Sequence, residues 1–141
     1  MKNFLYPAKI EKDDECFFLV TFRDIKFAAT DGRTIEEAKE EAVDSLSEAI
    51  SSIISDNEPL PLPSELKKNE YLIAPDALIA AKAALYVAVK EEGLSKKALA
   101  KRLNLSEEIG LSLLDPKYQT KILNIDKALT AMGRKMVIGY T

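Results

Sequence analysis

Histidine and tryptophan are missing from this 141-residue chain, cysteine occurs once, and glycine only five times. Without histidine the commonest general base and metal ligand is gone, which excludes Ser-His-Asp triads and most zinc sites. The lone Cys16 cannot close an internal disulfide; beside Phe17-Phe18-Leu19-Val20 it is expected to be a small buried apolar residue. No run of about 18 apolar residues is present to span a membrane. The start Met1-Lys2-Asn3-Phe4-Leu5-Tyr6-Pro7 also lacks an apolar stretch of signal-peptide length. These absences point to a cytoplasmic protein without a membrane partner, and no catalytic residue, cofactor or metal site is expected.

What is present is divided by charge. From Met1 to Glu70 there are 9 basic and 16 acidic side chains, a balance of −7; from Tyr71 to Thr141 there are 11 basic and 7 acidic, a balance of +4. The first half can attract a basic protein, and the second can tolerate a polyanion. The length suits one or two small units.

Leu5–Glu11 and Cys16–Phe22 are short runs rich in aromatic and branched residues around Lys12-Asp13-Asp14-Glu15, which predicts a hairpin with a charged loop. Phe27-Ala28-Ala29-Thr30 offers a third strand, and Asp31-Gly32-Arg33 a turn. Thr34-Ile35-Glu36-Glu37 makes a capping box, with the threonine oxygen serving the amide of Glu37. In the helix that follows, Ile35, Ala38, Ala42, Val43, Leu46, Ala49, Ile50, Ile53 and Ile54 form one apolar stripe; Glu36, Lys39, Glu40, Glu41, Asp44, Ser47 and Glu48 cover the other side. Such a helix packs on a sheet. Pro59-Leu60-Pro61-Leu62-Pro63-Ser64 is held extended by its alternate prolines, then Glu65–Glu70 reads as an exposed connection and Tyr71-Leu72-Ile73-Ala74 as a fourth strand. Pro75 is expected to open another helix, with Leu78, Ala81, Leu85 and Val89 as its stripe. The domain boundary is placed near residue 74, giving domains 1–74 and 75–141.

The stretch from Gly93 onward reads as helix, tight turn, helix. Gly93 suits the end of one helix and Ser95 the cap of the next; Leu99, Ala100 and Leu103 share a face, the small Ala100 allowing close approach. Asn104 tolerates the turn, and Ser106 supplies a second cap oxygen. The pattern L-S-x-x-x-L-A-x-R-L-N-x-S, followed by Leu113-Leu114, Lys121 and Leu129-x-x-Met132-Gly133, resembles a Cro/C1-type helix-turn-helix domain. The candidate DNA-binding residues are Ser95, Lys96, Lys97, Lys101, Ser106, Glu107, Glu108, Ser112, Lys117 and Lys121, with Tyr118, Gln119 and Thr120 as backbone contacts. Glutamates at the first turn of a reading helix repel phosphate unless they accept from a cytosine amino group. Gly110 is expected to weaken that helix by about 1 kcal/mol. Lys135-Met136-Val137-Ile138-Gly139-Tyr140 reads as a short apolar strand that pairs with its copy in a second chain.

The first half resembles the HicB-type antitoxin domain, carried by Tyr6-Pro7, Phe22-x-Asp24-Ile25, Thr30-x-Gly32-x-Thr34-x-Glu36-Glu37-Ala38 and Pro61-x-Pro63-Ser64. Where that family usually has proline this chain has Arg23. The resemblance implies a partial RNase H-like fold, so the fold class is α+β: a small N-terminal sheet with one helix, then an all-α helix-turn-helix domain with a short C-terminal strand. It also implies a function. An antitoxin of this kind binds and blocks a small mRNA-cleaving HicA-type toxin, and its helix-turn-helix represses the operon by binding operator DNA as a homodimer or higher homo-oligomer. Asp13, Asp14, Glu15, Arg23, Asp24 and Asp31, at strand ends, are the candidate toxin contacts. Two alternatives stay open: a stand-alone regulator sensing a small ligand, and a two-metal nuclease using Asp13, Asp14, Asp24 and Asp31.

Overall fold

A computed structural model describes residues 1–141. The chain divides into two units, Met1–Ala80 and Ala81–Thr141, at a point inside a helix.

The first unit is built on β1 (Tyr6–Lys12), β2 (Phe18–Phe22), β3 (Ala29–Gly32) and β4 (Glu70–Ile73), which form one antiparallel sheet in the order β3-β2-β1-β4. Register fixes which side chains share a face, because residues directly opposite one another point the same way. Ala8 lies opposite Phe22, Ile10 opposite Val20 and Tyr6 opposite Ile73, and this face carries the buried Tyr6, Ala8, Val20, Phe22 and Ile73. Helix α1 (Ile35–Ser55) covers it with Ala38, Ala42, Leu46, Ile50, Ile53 and Ile54.

The predicted cap is formed: Thr34 Oγ1 accepts from Glu37 N at 3.0 Å. A side chain at Gly32 would sit 2.4 Å from the Ala38 amide nitrogen, so only glycine lets the first turn of α1 close against β3.

Four expectations change here. Cys16 is exposed in the hairpin loop at φ +67°, because the chain needs a left-handed residue there and the apolar run starts in earnest at Phe18. Phe27 is exposed in a turn, and the third strand begins at Ala29. Ser47 is buried, and its hydroxyl accepts the Asp76 amide at 2.9 Å. Pro75 precedes the next helix rather than opening it: α2 runs Ala77–Glu92, with the Asp76 carbonyl accepting from Ala80 N.

The second unit packs the rest of α2 with α3 (Lys96–Arg102), α4 (Glu107–Leu114) and α5 (Ile122–Ala131) around Leu85, Leu99, Leu113, Leu114, Ile125 and Leu129. Helices this short are marginal alone, so caps and packing decide whether they form. Ser95 Oγ accepts from Ala98 N at 3.0 Å, and Ser106 Oγ from Ile109 N at 3.2 Å. Asn104 takes φ +54° in the turn between them.

Gly110 has a reason to be there. A Cβ at that position would lie 2.4 Å from Ala100 Cβ, so the pair of small residues lets α3 and α4 cross at backbone distance. The expected cost in helix propensity is offset by that approach. The expected strand at 135–140 is not formed within the chain: these residues have no regular structure, and Ile138 and Tyr140 are 84% and 100% exposed.

Candidate functional site

The candidate residues of the first unit fall into groups with different surroundings. Asp13, Asp14 and Glu15 form the exposed tip of the β1–β2 hairpin, where Asp13 Oδ1 accepts from the amides of Glu15 and Phe17, both at 2.9 Å. Asp13 therefore organises its own loop. Asp31 is exposed on the edge strand β3.

Arg23 and Asp24 lie at the other end of β2 from the hairpin tip and are already engaged. Arg23 donates from Nε and Nη2 to the two carboxylate oxygens of Glu70 at 3.0 and 3.1 Å, and also reaches the carbonyl of Glu65. Asp24 accepts the Ser64 amide at 2.9 Å and its hydroxyl. Together they fasten the connection before β4. The hydrogen bond from Arg23 holds the Glu70 carboxyl below the usual carboxylate range.

A second tie comes from Tyr6, whose hydroxyl donates to the Pro61 carbonyl at 2.7 Å and whose ionisation is pushed upward, first by burial and then by the Asp24 charge. The aspartates considered for metal binding are thus distributed over a hairpin tip, a loop clamp and a sheet edge, with no cluster of three ligand-type side chains among them.

On the side of the sheet away from α1, the residues just before β1, the connection before β4 and Leu72 of β4 form a shallow groove. Its volume is about 270 Å³, and it is lined by Asn3, Leu5, Pro63, Ser64, Glu65, Leu66 and Leu72. Sequence reasoning missed it, because Leu66 and Leu72 read only as parts of a connection and a strand.

In the second unit, Lys96, Lys97 and Lys101 are exposed along α3, and Lys117 and Lys121 are exposed beyond α4. Glu107 and Glu108 stand exposed in the first turn of α4, with Ile109 and Leu111 partly exposed beside them. The hydroxyls of Ser95 and Ser106 serve as caps. Ser112 is half-buried, and its hydroxyl donates to the Ile109 carbonyl at 2.7 Å.

The other residue missed is Lys82. It is fully buried on α2, and its ammonium donates to the carbonyls of Ser112 at 3.2 Å, Tyr118 at 2.7 Å and Asp115. All three donors are used on the C-terminal end of α4 and the loop after it, where a cation also complements the helix dipole. Burial lowers its proton affinity, and the Asp115 charge partly restores it. A lysine among alanines and leucines was the available signal.

The chain thus joins an α1-backed antiparallel sheet with an acidic balance to a lysine-bearing helical unit. Residues 5–84 match the family described as HicB_like antitoxin of bacterial toxin-antitoxin system. The chain is 32% identical over 138 residues to antitoxin HicB 1 of Photorhabdus laumondii subsp. laumondii, covering 98% of this chain and 88% of that one. It is 31% identical over 131 residues to antitoxin HicB of Escherichia coli (strain K12), covering 93% and 95%. Antitoxin HicB 2 of the same Photorhabdus is 35% identical over 135 residues, covering 96% and 95%. The chain belongs to the HicB-like antitoxin family.

Proposed function

We propose that this antitoxin neutralises a small basic HicA-type toxin, an mRNA-cleaving enzyme, through its N-terminal unit and represses its own operon through α3 and α4 acting as a helix-turn-helix. The carrying observation is the opposite charge balance of the two halves, −7 up to Glu70 and +4 beyond. An acidic surface steers and masks a protein whose own basic surface must grip RNA. No chemistry by the antitoxin is required.

At the operator, Lys96, Lys97, Lys101, Lys117 and Lys121 contact phosphates, while the first turn of α4 meets base edges. The protein works in the cytoplasm as a homodimer or higher homo-oligomer, because two half-sites need two copies of α4. The exposed apolar stretch Val137–Tyr140 pairs with its copy to bring them together, since an unpaired apolar edge is a liability. In this division of labour residues 1–74 serve the toxin, with Asp13, Asp14, Glu15 and Asp31 as its acidic margin, and 75–141 serve DNA and dimerisation.

The test is co-expression with the HicA-type toxin of the adjacent reading frame. The expected result is restored growth, a co-purifying complex, and a shift of the operon's promoter DNA. A chain that leaves the toxin active overturns the reading. Replacing Ile138 with Asp is expected to give a smaller species in analytical ultracentrifugation; an unchanged mass would place the dimer contact elsewhere.

A further inference from the structure

The groove on the uncovered face of the sheet has a built wall. Leu72 lies opposite Pro7 on the face away from Tyr6, Ala8 and Ile73, and with Leu5 it forms the floor. Pro63, Ser64, Glu65 and Leu66 form the wall. That wall belongs to a connection, yet it is fastened at three backbone points: Asp24 takes the Ser64 amide, Arg23 takes the Glu65 carbonyl, and Glu70 takes the Lys67 amide at 2.7 Å. Arg23 and Asp24, candidate contacts by residue type, thus act behind the surface. They hold the wall in one shape before anything binds, which lowers the ordering cost of association.

The lining is mixed in a specific way. Leu66 and Leu72 are 48% and 45% exposed, large apolar side chains left open to solvent on a single groove. Asn3, Ser64 and the exposed Glu65 supply its polar groups, the Ser64 hydroxyl being already bound to Asp24. At about 270 Å³ the groove is smaller than the pockets that hold drug-sized ligands, which start at about 300 Å³. It has room for one long side chain. An aliphatic stem against the leucines and a cationic head at the Glu65 carboxylate satisfy both parts of the lining. Glu65 is the one charged residue of the lining, and with the balance of −7 up to Glu70 it favours a basic protein as the source of that side chain.

We propose that the groove formed by Leu5, Pro63, Leu66 and Leu72 is the anchor site for a long basic side chain, arginine or lysine, of the small basic toxin. The proposal rests on the antitoxin reading above. The hairpin tip and Asp31 steer the partner, and the groove fixes its register.

The experiment is calorimetric titration of the full-length chain with the HicA-type toxin of the adjacent frame, carrying an inactivating substitution, at low and moderate salt. Leu66→Ser and Leu72→Ser are each expected to weaken binding roughly tenfold, as is typical when an anchor side chain is truncated. Leu66 lies outside the sheet, so its variant keeps the test sharp should Leu72→Ser disturb β4. Glu65→Gln is expected to weaken binding a few-fold and to flatten its salt dependence, whereas Leu123→Ser on α5, equally a leucine in solvent, stays within about twofold. Wild-type affinity in both groove variants, with toxin bound normally by the parent chain, overturns the groove and leaves the antitoxin reading standing. No binding by the parent chain overturns both. A change in oligomer size in Leu66→Ser or Leu72→Ser with toxin affinity intact assigns the groove to a second copy and overturns the proposal.

Discussion

The connection before β4 in the N-terminal unit is fastened at the surface, by Arg23 paired with Glu70; the loop after α4 in the C-terminal unit is fastened in the interior, by Lys82 on three carbonyls. The two devices hold similar objects with different chemistry. The Arg23–Glu70 pair lies near the surface, with its side chains 29% and 9% exposed, and what it does is set the shape of the wall from Ser64 to Lys67. A buried ammonium has given up its water and is compensated only while all three carbonyls accept from it. Losing the clamp is therefore expected to cost the N-terminal unit less than losing Lys82 costs the C-terminal unit.

Breaking the interior device gives the largest expected effect. Lys82→Met keeps the bulk but removes the charged donor shared by the carbonyls of Ser112, Asp115 and Tyr118, which keep only their bonds from Thr120 Oγ1, Tyr118 N and Thr120 N, at a cost of about 2 kcal/mol; urea unfolding followed by circular dichroism checks it, with operator binding weakened in parallel. Next comes the surface that this device supports. Replacing Lys96, Lys97 and Lys101 together with Ala is expected to weaken operator DNA binding across sequences and to flatten the plot of log affinity against log salt by ~0.9 for each phosphate no longer neutralised. An unchanged slope in a fluorescence-anisotropy titration would move the DNA-binding surface off α3.

A smaller effect is expected at the crossing of α3 and α4. Gly110→Ala gains helix propensity worth about 1 kcal/mol, but it drives a methyl into Ala100, and overpacking of that kind costs about 1–3 kcal/mol. The net expectation is a modest drop in the melting temperature, whereas a stabilised variant would mean that the helices do not meet there. Smallest is the surface clamp. Because Arg23 lowers the folded pKa of Glu70, its contribution is complete above the ordinary carboxylate range and is lost as pH falls through the depressed folded value. The protection of the Ser64–Lys67 amides against hydrogen exchange, relative to the intrinsic rate at each pH, is expected to be high at neutral pH and to be lost only as Glu70 protonates, below the ordinary carboxylate range. In Arg23→Gln protection should be low throughout, while global unfolding changes little.

Features set by neighbouring residues were legible in the sequence. Thr34, Ser95 and Ser106 are recognisable caps because the amides they serve lie three residues on. The stripe of α1 repeats at helical spacing, and Asn104 marks its turn by its tolerance of positive φ. Features set by partners far along the chain were hidden. Lys82 meets Ser112 through Tyr118, Arg23 meets Glu65 and Glu70, and Gly110 meets Ala100 across a helix crossing. Arg23 read as a partner contact and Gly110 as a helix weakness, and Lys82 carried no reading at all, until the other side of each pairing was in place. Cys16 misled for a related reason: the apolar run beside it suggested burial, but the hairpin loop takes that position for its left-handed residue. The groove was invisible because its floor and wall come from three separate stretches.

Everything proposed for the N-terminal unit requires the acidic half to hold a cationic protein, and the direct measurement is the dissociation constant of the full-length chain with the small basic HicA-type toxin across a salt series. Tight association that weakens steadily as ionic strength rises is the predicted result. No association at low salt, or an affinity indifferent to salt, would contradict it.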